Sequence, residues 1–96
     1  MIKHIVFWRL KDDAKAENAE RIKQVAEALK DKIPEIVSIE IGINIDESDA
    51  AWDVALYSEF ATPEDLAAYQ VHPDHLELGK MIAEVRTDRA VVDYEV

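Results

Sequence analysis

The chain has 96 residues, 49% of them hydrophobic and 33% charged, with only two glycines and three prolines, which fits a single domain spanning 1–96 without a long linker. A formal net charge of −10, from 21 acidic and 11 basic side chains, leaves no basic footprint for nucleic acid and disfavours contact with an anionic membrane. The absence of cysteine excludes disulfides, thiolate catalysis and zinc–thiolate sites.

Residues 2–10 alternate, with Ile2, His4, Val6, Trp8 and Leu10 on one face and Lys3, Ile5, Phe7 and Arg9 on the other, so a strand with large apolar groups on both sides is expected. The same opening segment is too short, and lacks a small-residue cleavage site, for a signal peptide. Residues 14–32 change to helical period, with Ala19, Ile22, Val25, Ala26 and Leu29 in one stripe that Ile33 continues. Pro34 ends that helix. Alternation returns over 36–44, with Val37, Ile39, Ile41 and Ile43 predicted to share a face. The acidic run Asp46–Asp49 reads as a hairpin loop. A third strand is expected over 52–60, with Trp52, Val54 and Leu56 on one face. Thr62-Pro63-Glu64-Asp65 starts a helix, combining a capping hydroxyl, a first-turn proline and two acids that suit the helix dipole. Pro73 interrupts it, and a further helix is expected to about Val85. Residues 88–96 form the last strand.

The order β-α-β-β-α-β is the α+β, ferredoxin-like pattern, an antiparallel sheet with helices on one face. The face that carries Ile5 and Phe7 is too apolar to meet water, so a homodimer joining two sheets is the expected partner arrangement. No apolar run approaches the ~20 residues of a membrane span, and together these features lead to the expectation of a cytoplasmic protein.

The segment Tyr69-Gln-Val-His72-Pro-Asp-His75 is the one with chemical content. Imidazole titrates near neutral pH and serves as acid or base, which makes His75 the first candidate. Tyr69 lies six residues upstream, and the break at Pro73 can fold the two together. The alternative is that His72 and His75 only bond backbone around the proline. His72, held extended before Pro73, is expected to shape the turn. A metal on His72 and His75 lacks a clean third ligand, so no metal and no cofactor are expected.

Three stretches taken together carry a family resemblance. They are Met1-Ile-Lys-His-Ile-Val-Phe-Trp-Arg-Leu-Lys-Asp12, the central Tyr69-x-x-His72-Pro-x-His75 followed by Gly79, and the closing Val91-Val-Asp-Tyr94. In this order, across essentially the whole length, the chain resembles the stress-responsive dimeric α/β-barrel (Dabb) domain family. The resemblance implies two ferredoxin-like subunits whose sheets join in a barrel, with the helices outside. Most members have no established reaction, and one plant branch comprises polyketide cyclases. In that branch a tyrosine–histidine pair does acid–base work in a pocket between sheet and helices. The matching positions here are Tyr69 and His75, with His4 lining the pocket and Asp93 close to the pair, where a carboxylate could fix the tautomer of His75.

The chain departs from that branch in the third strand, where Val54 replaces a pocket histidine, and at Trp8, which is bulkier than the residue it replaces. In such a pocket His4, Val6, Trp8, Val54, Leu56, Leu78 and Met81 would form the walls, and a small aromatic or polyketide-like molecule would be the ligand. Three functions follow: a Dabb-type protein of unassigned physiological role, a small cyclase, lyase or isomerase using Tyr69 and His75, or a dimerisation module whose core is packed shut by Trp8 and Met81.

Overall fold

Residues 1–96 are described by a computed structural model. The alternating segment at the start of the chain forms β1 (Ile2–Leu10), an inner strand of a four-stranded sheet. It is followed by α1 (Lys15–Ala28), β2 (Ile36–Ile43), β3 (Val54–Phe60), α2 (Pro63–Val71), α3 (Pro73–Val85) and β4 (Arg86–Glu95). The strand order is β2-β3-β1-β4, and every neighbouring pair is antiparallel. This is the ferredoxin-like α+β arrangement. No helix is long and apolar enough to cross a membrane.

The helices cover one face of the sheet, and the core lies between. Ile2, Val6, Trp8 and Leu10 of β1 meet Val54, Leu56 and Phe60 of β3 beneath Ala19, Ile22, Ala26 and Leu29 of the first helical segment. Leu66 and Tyr69 of α2 and Leu78 and Ile82 of α3 close the far side. Thr62 caps α2 by accepting from the Asp65 N–H at 3.1 Å. His72 then ends α2 and starts α3, its Nδ1 accepting from the Asp74 N–H at 3.1 Å.

α1 also protects a sheet edge. An edge strand exposes unpaired amides and carbonyls that invite further strands. Here the Ile41 N–H of β2 donates to Glu27 Oε2 at 3.1 Å, and Lys23 donates to the Ile41 carbonyl at 3.0 Å. These two side chains occupy the edge of β2.

The structure corrects the expected elements in four places. The first helix ends at Ala28 and tightens into a 3-10 turn, Leu29–Asp31, which keeps both Leu29 and Ile33 buried. Val25, expected in the core stripe, is exposed. The β2–β3 register shifts between Ile36 and Ser38, so Ile36 takes the buried place opposite Phe60 and Val37 is left outside. Finally, β3 begins at Val54, and Trp52 precedes the regular strand. Its ring therefore leaves the Val54–Leu56 face and packs 6.4 Å from Phe7, with the Arg9 guanidinium 4.1 Å from its centre.

The uncovered face is formed by Lys3, Ile5 and Phe7 with their β4 partners Tyr94, Val92 and Ala90. Across β3 it carries a polar cluster. Lys3 donates to Tyr57 Oη at 2.6 Å and is ion-paired with Glu59, which also accepts from Tyr57 and from Ser38, each at 2.8 Å. The Lys3 ammonium and these two hydroxyls hold the Glu59 carboxyl down at about 2.

Candidate functional site

The break at Pro73 gives the site its geometry. A single helix would rotate Tyr69 and His75 to different faces, since each residue turns it by about 100°. With the chain extended at His72, α3 restarts in a new direction and the two rings come together, their centres 4.3 Å apart. They form one wall of a cavity of about 140 Å³ between the sheet and α3. Its floor is His4, Val6 and Trp8 of β1 with Leu56 of β3, and Leu78, Gly79 and Ile82 of α3 form the roof.

Tyr69 is fully buried, and its hydroxyl meets no hydrogen-bond partner. A buried polar atom without a partner costs about 1–3 kcal/mol, so such an atom on a cavity wall is a marked feature. Burial pushes its phenol up to about 12, only partly opposed by the charge of Arg89. The group is thus a neutral O–H donor throughout the physiological range.

His75 bonds the Gln70 carbonyl through Nδ1 at 3.0 Å. A carbonyl only accepts, so Nδ1 carries the proton and Nε2 of the neutral ring holds a free lone pair. Burial lowers the pKa of this imidazole, and the neighbouring His4, Arg89 and His72 add to the effect, against the bond to Gln70. The ring is therefore an uncharged base at neutral pH.

His4 is buried on the floor, edge-on to Tyr69 at 6.1 Å between ring centres. Its Nδ1 lies 2.5 Å from Asp93 Oδ1. This corrects the expected role of Asp93. The β1–β4 register sets Asp93 directly opposite His4, so the carboxylate orients His4, while the tautomer of His75 is set by Gln70.

Of the residues expected to line the pocket, His4, Val6, Trp8, Leu56 and Leu78 do so. Val54 and Met81 do not. Val54 is the cross-strand partner of Trp8, which lines the cavity in its stead, and it borders a separate surface hollow beside Phe7 and Trp52. Met81 sits one position before Ile82, and that turn of the helix points it to the groove shared with Val25 and Leu29 of the first helical segment. Nothing packs the cavity shut from that side.

Four lining residues, Gly79, Ile82, Arg86 and Arg89, were not expected from the sequence. Ile82 follows Leu78 by four and was open to that inference from helical spacing. The arginines gave no signal, because their direction depends on a bulge in β4. No group of three or more His, Cys, Asp or Glu side chains is placed to hold a metal ion, and His72 serves as a helix cap.

Comparison with known proteins adds the following. The family model described as Stress Responsive A/B Barrel Domain, Dabb, matches residues 2–96. No curated protein matches the chain. Among solved structures it is similar to a dimeric ferredoxin-like protein of unknown function from Bacteroides fragilis, with 41% identity, a TM-score of 0.91, and coverage of 99% of this chain and 95% of that one. A second dimeric ferredoxin-like protein of unknown function, from Thermobifida fusca, shares 26% identity with a TM-score of 0.88, over 99% of this chain and 90% of that one. The hydroxynitrile lyase of Passiflora edulis has the same fold at 23% identity, with a TM-score of 0.87 over 99% and 92% of the two chains. The match over almost the full length, together with the 41% identical relative, establishes that this chain belongs to the Dabb family.

Proposed function

We propose that the cavity is an acid–base site for a small carbonyl compound, in which His75 is the base, Tyr69 the hydrogen-bond donor and His4, oriented by Asp93, a second polar contact. The reaction class is cyclase, lyase or isomerase. The observation that carries this reading is the pairing of an unpartnered, buried Tyr69 hydroxyl with a neutral His75 whose Nδ1 is tied to Gln70.

In the first step Nε2 of His75 takes the proton from the carbon beside a carbonyl. The C–H electron pair becomes the new C=C bond, and the carbonyl pair moves onto oxygen. The Tyr69 O–H donates to that enolate oxygen. In a β,γ-unsaturated ketone the enolate is a dienolate, and return of the His75 proton to its γ-carbon isomerises the substrate. Attack of the enolate carbon on a second carbonyl of the same molecule closes a ring, the His75 proton passing to the new alkoxide; departure of a leaving group from the neighbouring carbon, taking the His75 proton, completes an elimination instead. The Passiflora edulis protein is named for lyase chemistry, but at 23% identity it speaks for the fold alone. The dimerisation-module reading is less favoured, because the cavity is open and Met81 lies outside it.

The working unit in this proposal is a homodimer. Its support is the uncovered apolar face around Phe7, Val92 and Tyr94, and the dimeric state of the Bacteroides fragilis and Thermobifida fusca relatives. The site is tested by titrating small aromatic and polyketide-like ketones while following the histidine ring resonances in the wild type and in His75→Ala. Binding that moves the His75 signals, and weakens in the variant, supports the assignment. Ketones that bind without moving them refute it.

A further inference from the structure

Of the eleven lysines and arginines, four, Lys3, Lys15, Lys23 and Lys80, have a carboxylate within ion-pair distance. Arg86 and Arg89 are among the seven without one in the protomer, and they are the two that stand at the cavity wall. The nearest acids along β4 are turned to other tasks. Asp88 accepts from the Thr87 hydroxyl at 3.0 Å, and Asp93 is bonded to His4.

Their joint placement is produced by a β-bulge. Residues three apart in a regular strand face opposite ways. In β4, Arg89 pairs with Trp8 and Asp88 with Arg9, but Leu10 pairs with Arg86, so Thr87 is the extra residue. The shift brings Arg86 and Arg89 onto the same, helix-facing side. Bulges commonly re-aim a side chain in this way beside a site. The charge of Arg89 reaches both Tyr69 and His75, since it acts on the titration of each.

Two guanidinium groups at the edge of a cavity focus a positive field there, and each fork of N–H groups matches a carboxylate. Apart from the His4, Tyr69 and His75 rings, the rest of the wall is apolar, with Val6, Trp8, Leu56, Leu78 and Ile82. A cavity of about 140 Å³ is close to the volume that accepts a single benzene ring. The apolar wall favours a carboxylic acid with a hydrocarbon body over a strongly hydrated phosphate. We propose that Arg86 and Arg89 bind the carboxylate of a small, mainly apolar acid and present its other end to Tyr69 and His75. The inference rests on the acid–base reading of the same cavity and adds to it the class of substrate.

The test uses benzoate and its uncharged counterpart benzamide, titrated into the full-length protein and followed by calorimetry and histidine NMR. Benzoate is expected to bind more tightly than benzamide and to move the His75 signals. Arg86→Gln and Arg89→Gln should each weaken benzoate by about tenfold or more, with benzamide unchanged. Arg89→Lys keeps the charge without the fork and should give a smaller loss, which separates recognition from misfolding. Equal binding of both probes with His75 responding to each overturns the carboxylate assignment and leaves the acid–base site standing. Binding of benzoate that survives the double arginine variant overturns it as well, as does binding of neither probe. The acid–base reading itself stands or falls on proton exchange from an uncharged ketone, which does not involve the arginines.

Discussion

Tyr69 separates a structural role from a functional one at the scale of a single residue. If its hydroxyl only filled space, removing it would relieve an unpaired buried dipole, because no protein group accepts from it or donates to it. Tyr69→Phe should therefore leave stability unchanged or raise it by about 1 kcal/mol in thermal unfolding, while ketone binding or turnover falls. His75 supplies a pH signature. Its pKa is lowered from 6.5, chiefly by burial, so the neutral ring persists to lower pH in the folded protein than in the unfolded chain. Between 6.5 and the folded value the unfolded state binds more protons, and folding stability falls as pH falls through that window. A base-dependent rate should likewise have its midpoint below 6.5. A midpoint at or above 6.5 would speak against His75 as the base. At this scale the sequence was informative about residue type. Tyr69 and His75 stood out as an acid–base pair. The partner of Asp93 was misread, because cross-strand register decides it and spacing along the chain does not show register.

Two local departures from regular structure, the Pro73 break and the β4 bulge, shape the cavity at the scale of elements. The proline was legible, and so was the change of direction it causes. The bulge was not, since Arg86 and Arg89 three apart read as opposite faces until the pairing with β1 is known. The same limitation misplaced Val37, while Trp52 was misassigned because the strand starts two residues later than its alternation suggested. Gly79 offers a test within α3. It lies mid-helix on the cavity wall, and a Cβ built there meets nothing within 4 Å. Alanine is the better helix former by about 0.8–1 kcal/mol, so Gly79→Ala should raise the melting temperature. The added methyl would stand in open cavity space and should weaken ligand binding by several-fold. A variant that is both more stable and binds ligand unchanged would mean that the cavity is not where the ligand sits.

At the scale of the whole molecule the sheet has two unlike faces. The helix-covered face builds the core and the cavity, and the other is left with Phe7, Val92 and Tyr94 beside the Lys3–Tyr57–Glu59–Ser38 cluster. This division was readable from β1, whose odd positions are too apolar for solvent. Phe7 is 39% exposed in the protomer, so Phe7→Glu should leave each subunit folded. In a dimer it would bury a charge and lose an aromatic contact, raising the dimer dissociation constant by about a hundredfold or more in sedimentation experiments. Glu59 adds an acid limit. Its carboxyl is held at about 2 by Lys3, Tyr57 and Ser38, so its contribution is complete above 4.5 and is lost as pH falls from there toward 2.

The central claim is that His75 and Tyr69 move a proton at carbon, and solvent deuterium exchange measures that step without knowledge of the physiological substrate. A one-ring ketone such as acetophenone would be incubated in D₂O with the wild type, His75→Ala and Tyr69→Phe, and deuterium at the carbon beside the carbonyl followed by NMR. The account predicts exchange above the buffer rate for the wild type, a return to that rate in His75→Ala, and a loss of about 10²-fold or more in Tyr69→Phe. Exchange at the buffer rate in the wild type, or exchange that survives His75→Ala, would contradict it.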